Sequence, residues 1–227
     1  MLVPLQDNNP LVAIRFQVVT VAIISLNVGI FLMTYVAGGE QVQVAAAFGY
    51  GLVPGELFAF HQDPAGSAGT REGLTLVTYA FLHGGWMHLI GNMLFLWVFG
   101  DNVEDSLGHA RFVVFYLACA AAAGLAHAVT VPGSDMPLIG ASGAVAGVLG
   151  AYMVLHPRAH VWVLLFWRLP LKLPAMYVLG AWIAMQVVSL LMTAADDVHV
   201  AWWAHIGGFA AGVALVLVMR RRAPLAT

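Results

Sequence analysis

Charge is what this sequence has least of: 9 basic and 11 acidic side chains make up only 9% of 227 residues, while 61% are hydrophobic. A soluble domain carries about 25% charged residues, so the composition excludes an ordinary water-soluble fold and points to a chain that crosses a membrane several times. A formal net charge of −2 provides no basic field to hold nucleic acid. Cysteine is nearly missing as well. The single thiol, Cys119, excludes an internal disulfide and a cysteine-based metal cluster, and its Ala-rich surroundings read as inert packing. No His-Glu-x-x-His zinc signature occurs, since His83 and His88 are five apart with no glutamate between them. No pair of aspartates lies inside an apolar run, which removes an aspartyl protease. The Gly-x-Ser-x-Gly elbow of soluble hydrolases is also missing, because position 144 is Ala. No linker of Ser and Gly divides the chain, which is expected to form a single membrane domain over residues 1–227. The stretch MLVPLQDNNP has neither a positive n-region nor a small-residue cleavage site, so the first apolar run is expected to be a retained span.

What the chain does contain is apolar runs near the roughly 20 residues that cross a bilayer. Six are expected to span it: 16–36, 82–101, 112–131, 142–155, 175–192 and 203–219, the fourth of them short. The fold class is therefore an all-α membrane protein, a bundle of six transmembrane helices. The connection from Ala37 to Arg71 is half apolar and suits the membrane interface. Basic residues set the orientation. Arg15, Arg111, Arg158, Arg168, Lys172, Arg220, Arg221 and Arg222 fall on one side and only Arg71 on the other. Both termini are expected in the cytoplasm, with Asp135, Asp196 and Asp197 facing out.

Polar groups at membrane depth are costly and tend to be functional. Those inside the spans are Ser142, His205, His88, Asn92, His83 and His127. At about 1.5 Å per residue, Ser142 stands about 21 Å above the inner end of its helix, His205 about 22 Å and His88 about 18–24 Å. One hydroxyl and two imidazoles from separate helices thus share a level in a core about 30 Å thick. Gly143 and Gly147, and likewise Gly208 and Gly212, form small-xxx-small stripes that let helices approach closely. If those faces meet, His205 can act as the base that activates Ser142. His88 and Asn92 share a helix face and, with the N–H of Ser142, can donate to an oxyanion. Each feature alone has an ordinary reading as a packing residue, a satisfied core histidine or a structural hydrogen-bond pair. Their coincidence at one depth favours catalysis. His127 and His83 read as structural, and Trp86, Trp202 and Trp203 as an outer aromatic belt.

The stretches HGGWMHLIGNM, GDNVEDSLG, GASGAVAGVLG and AHIGGFAAG together resemble the rhomboid intramembrane serine proteases, bacterial type, over nearly the whole chain. The resemblance implies a six-helix rhomboid-like bundle with a water-filled cavity open to the outer face. It implies Ser142 as nucleophile and His205 as general base without a third acid, and His88, Asn92 and the Ser142 N–H as oxyanion donors. Glu104 and Gly108 match a structural Glu-x-x-x-Gly that caps the turn after span two. Span five and the first loop would border substrate access from the lipid. The implied partners are single-span membrane proteins, cut near the outer face, and the lipid bilayer; the implied location is a bacterial inner membrane. No cofactor and no metal are expected.

Two departures from the family pattern stand out. Relatives carry a tyrosine four residues after the serine that stacks on the histidine; here that position is Ala146, and Trp202 or Trp203 is expected to take over its task. The first loop lacks the family's Trp-Arg pair, of which Arg71 is a possible remnant. Two non-protease readings compete: a non-catalytic, client-binding membrane protein of the same fold, and a small transporter. An intact Ser142 and His205 favour the enzyme, and no inverted repeat supports a transporter.

Overall fold

A computed structural model of the protein describes residues 2–59, 68–165, 168–192 and 201–220. The expected outer Asp196 and Asp197, and Arg221 and Arg222, lie outside the described residues. The chain begins with a strand β1 (Leu2–Asp7), followed by the helices α1 (Val18–Phe31, continued by a π-turn over Leu32–Ala37), α2 (Gly39–Tyr50), α3 (Pro54–Ala59) and α4 (Ala68–Thr78). Then come α5 (Trp86–Leu107), α6 (His109–Ala128), α7 (Ser142–Leu155), the strands β2 (His160–Leu165) and β3 (Leu169–Pro174), α8 (Ala175–Met192) and α9 (Trp202–Met219).

The chain is a multi-pass integral membrane protein, a helical bundle. Val18–Ala37, α6, α8 and α9 are each 18 or 20 residues of apolar helix, long enough to cross a bilayer, and α7 is a shorter apolar helix. The 22-residue α5 has no Asp, Glu, Lys or Arg up to Gly100 and then carries Asp101, Glu104 and Asp105. It differs from the expected 82–101 at both ends. The chain turns at Leu82–Gly85, so the helix starts only at Trp86. It continues past Asp101 because Asn102, Glu104 and Asp105 are buried with partners, and it stops at Gly108, where φ is +81°. That is the left-handed region where a Cβ is penalised.

The acidic end of α5 fastens the N-terminal segment. Glu104, fully buried, accepts from the N–H groups of Val19 (2.9 Å) and Thr20 (2.7 Å) and from the Thr20 hydroxyl (2.7 Å). Those N–H groups belong to the first turn of α1, which has no internal partner for them. Here the expectation for Glu104 needs correction. Across its own turn the carboxylate contacts only the ring of His109 (2.5 Å to Nδ1), and the turn itself is closed by the backbone bond from Gly108 N to Glu104 O (2.7 Å). The side chain instead caps α1, because burial brings that helix's orphan donors to it. Asp105 accepts in the same way from Val12, Ala13 and Ile14 at 2.7–3.0 Å.

The strands add a small feature to the helical class. They form one antiparallel sheet in the order β1-β2-β3, with Val3 opposite Leu164 and Val161 opposite Leu173. Val161 and Val163 point into the core, as the period of two in HVWVLL requires. The sheet is tied to the bundle through Asp7, which accepts from the Tyr152 hydroxyl of α7 (2.5 Å) and from Asn102 of α5 (3.0 Å). Burial raises the Asp7 carboxyl above its ordinary value, opposed by the Tyr152 bond.

Candidate active site

The loop before α7 fixes where Ser142 begins its helix. Leu138 and Leu52 exchange backbone hydrogen bonds at 2.8 and 3.0 Å, and Gly140 N donates to the Tyr79 carbonyl at 2.9 Å. Gly140 has φ +123°, and a Cβ there would meet Nε2 of His88 at 2.5 Å. Position 140 therefore needs glycine for its backbone angle and for the imidazole packed against it. Ser142 is the first residue of α7, so its N–H has no partner within the helix.

Beyond that turn, α7 lies directly against α9. A Cβ on Gly208 would land on the Gly143 carbonyl oxygen, and one on Gly212 on the Gly147 carbonyl oxygen. Gly143 and Gly147 are in turn closed off by Ala123 and Cys119 of α6, each 2.5 Å from an added Cβ. The four glycines let α7 and α9 meet backbone to backbone, with the side chains of Ala123 and Cys119 packing α6 against the same glycines of α7. At the upper end of this seam the Ser142 hydroxyl and Nε2 of His205 are 2.9 Å apart. Both residues, and His88, are only partly buried.

The other face of the His205 ring has a partner that the sequence pattern does not single out. Nδ1 lies 2.8 Å from Oε1 of Gln186, on α8, a side chain 4% exposed. An amide oxygen can only accept, so Nδ1 carries the hydrogen and Nε2 is left bare to accept from Ser142. The one signal for it is a lone glutamine in the largely apolar stretch AMYVLGAWIAMQVVSLLM. Two indoles also border the ring. Trp182 of α8 has its ring centre 5.9 Å away, and Trp202 of α9 meets it edge-on at 6.1 Å. Trp203 is exposed. Ala146, which stands in the place of the family tyrosine, is fully buried in α7, and the aromatic contacts to His205 come from α8 and α9.

The two expected oxyanion donors are placed differently. His88 Nδ1 accepts a long contact from Gly84 N (3.5 Å), which leaves the hydrogen on Nε2, the atom beside Gly140. Asn92, 7% exposed, uses one amide hydrogen on the His88 carbonyl (2.9 Å) and has its second free to donate. His83 is buried edge-on to His88, ring centres 5.1 Å apart, with neither nitrogen hydrogen-bonded. Cys119 is buried within the bundle.

Comparison with known proteins gives the family. A family model described as Rhomboid domain matches residues 70–222. Rhomboid protein 1, mitochondrial, of Saccharomyces cerevisiae is 32% identical over 152 residues, which cover 62% of this chain and 40% of that protein. Presenilin-associated rhomboid-like protein A, mitochondrial, of Danio rerio is 30% identical over 160 residues, 67% of this chain and 40% of the relative. Rhomboid protease GluP of Bacillus subtilis is 42% identical over 85 residues, 37% of this chain and 16% of that protein. The match thus spans about two fifths of the length of the first two relatives. With mitochondrial and bacterial proteins among the relatives, neither the bacterial type nor the bacterial inner membrane follows from the likeness.

Proposed function

The chain belongs to the rhomboid family, and from that premise we propose that it is an intramembrane serine protease whose nucleophile is Ser142 and whose general base is His205. The observation that carries the reading is the 2.9 Å contact from the Ser142 hydroxyl to a bare Nε2. A hydroxyl within about 2.6–3.2 Å of a base of that kind is activated for attack.

In this reading Ser142 Oγ attacks a peptide carbonyl and His205 Nε2 takes its proton. The carbonyl oxygen becomes the oxyanion, facing the Ser142 N–H, His88 Nε2–H and the spare hydrogen of Asn92. Donors placed where charge develops are worth about 10²–10³ in rate each. His205 returns the proton to the leaving amine, and water then releases the acyl group from Ser142 by the same steps. Substrates are single-span membrane proteins cut near the outer face, reached from the bilayer that surrounds the helices. Residues 1–227 act as one membrane domain, with both termini on the side of the membrane that carries most of the basic residues.

The test is incubation of detergent-solubilised protein with a single-span substrate, wild type against Ser142→Ala. Cleavage by the wild type alone supports the protease. Equal cleavage by the variant, or none by either, refutes it.

A further inference from the structure

We propose that Gln186 is a positioning residue for His205, holding the base in its productive tautomer and tying that alignment to helix α8. The proposal rests on the protease reading above. The resemblance implies a serine and a histidine without a third acid, and the structure provides a neutral amide in the third position. Oε1 accepts from Nδ1–H at 2.8 Å, while the amide nitrogen of the same group reaches back to the Trp182 carbonyl at 3.4 Å. This second contact sets which end of the amide faces the ring. Turned the other way, the amide would donate to Nδ1, force the hydrogen onto Nε2 and leave Ser142 without a base.

Gln186 also holds an unusual place on its own helix. The buried residues of α8 are Ala175, Val178, Leu179 and Gln186, so beyond Leu179 the only buried side chain is the glutamine. The outer half of α8 is thus fastened to α9 through a polar bond to His205, with Trp182 alongside at 5.9 Å from the imidazole. A shift of α8 by about 1 Å would stretch that bond beyond hydrogen-bonding range. The ring would then be free to turn and to exchange tautomers. Among the described residues, the other titratable groups acting on it are the imidazoles of His88 on α5 and His127 on α6, and Gln186 is the acceptor on its Nδ1.

The experiment compares wild type, Gln186→Leu and Gln186→Glu. It follows the rate of fluorophosphonate labelling at Ser142 and the kcat and KM for a single-span substrate, each across pH. Misalignment of about 1 Å costs on the order of 10²-fold. Gln186→Leu is expected to label and turn over about 10–100-fold more slowly, with KM little changed. Gln186→Glu keeps an acceptor and recovers most of the rate. Its carboxylate stabilises the imidazolium, so the acid limb of its pH–rate profile moves to higher pH. Wild-type rates in Gln186→Leu, while wild type itself labels, overturn the positioning role and leave the protease reading standing. If Gln186→Leu loses its thermal unfolding transition, the Glu variant decides, and an unshifted acid limb overturns the proposal. Failure of wild type both to label and to cleave overturns the protease reading itself.

Discussion

Gly208 and Gly143 touch backbone to backbone: a Cβ on Gly208 would occupy the place of the Gly143 carbonyl oxygen. One residue from Gly143 lies Ser142, and three from Gly208 lies His205, so the contact beneath sets the separation of the two groups above.

Gly208→Val is therefore expected to lower fluorophosphonate labelling of Ser142 by about 10²-fold or more, although it removes no polar group. Gly180, on α8, has nothing within 4 Å of an added Cβ. Gly180→Ala should keep full labelling and gain up to about 1 kcal/mol from helix propensity. Labelling at the wild-type rate in Gly208→Val would show that the seam does not set the distance.

His88→Ala and Asn92→Ala should lower kcat by different amounts. A well-placed oxyanion donor contributes about 10²–10³. Asn92 has committed one hydrogen to the His88 carbonyl, so Asn92→Ala is expected at the lower end of that range. His88→Ala should be the worse, because it also empties the space against Gly140. Steady-state kinetics on a single-span substrate decides this. Wild-type kcat in both variants would place the oxyanion elsewhere.

Glu104→Ala should destabilise the protein without touching the chemistry. It strands the Val19 and Thr20 N–H groups at the start of α1 and the Thr20 hydroxyl, in a buried setting. Hydrogen bonds to a charged group are worth about 1.5–3 kcal/mol each and do not add fully, so a loss of about 3 kcal/mol is expected in thermal or denaturant unfolding. Glu104→Gln keeps acceptor capacity and should lose less. Equal stability of Glu104→Ala and wild type would contradict the capping role.

The aromatic contacts to His205 rank the indoles. Trp182→Ala and Trp202→Ala should each lower turnover more than Trp203→Ala, since the first two rings lie 5.9 and 6.1 Å from the imidazole and the third is exposed. Turnover rates of the three variants are the check. A larger effect at Trp203 would remove the indoles from the positioning of His205.

The amino-acid sequence alone carries much of the fold and of the candidate site. The level shared by Ser142, His205 and His88 follows from helical rise, and the glycine stripes of α7 and α9 follow from spacing. What it does not carry depends on how distant segments meet. Gln186 is one polar residue in an apolar helix, and which side of α8 faces His205 is a matter of tertiary packing. The direction of the Glu104 side chain is hidden for the same reason: the spacing to Gly108 is plain, but not the arrival of the first turn of α1. The sheet is hard to foresee because its strands are short and flank long apolar helices, although HVWVLL and LPLKLP both alternate.

The most direct measurement is mass-spectrometric mapping of the fluorophosphonate adduct on the solubilised protein, with Ser142→Ala, His205→Ala and the double variant alongside. The account predicts one adduct on Ser142, loss of labelling in His205→Ala, and no further loss when both changes are combined, because such pairs act as a unit. An adduct on another residue, or full labelling of Ser142 in His205→Ala, would contradict it.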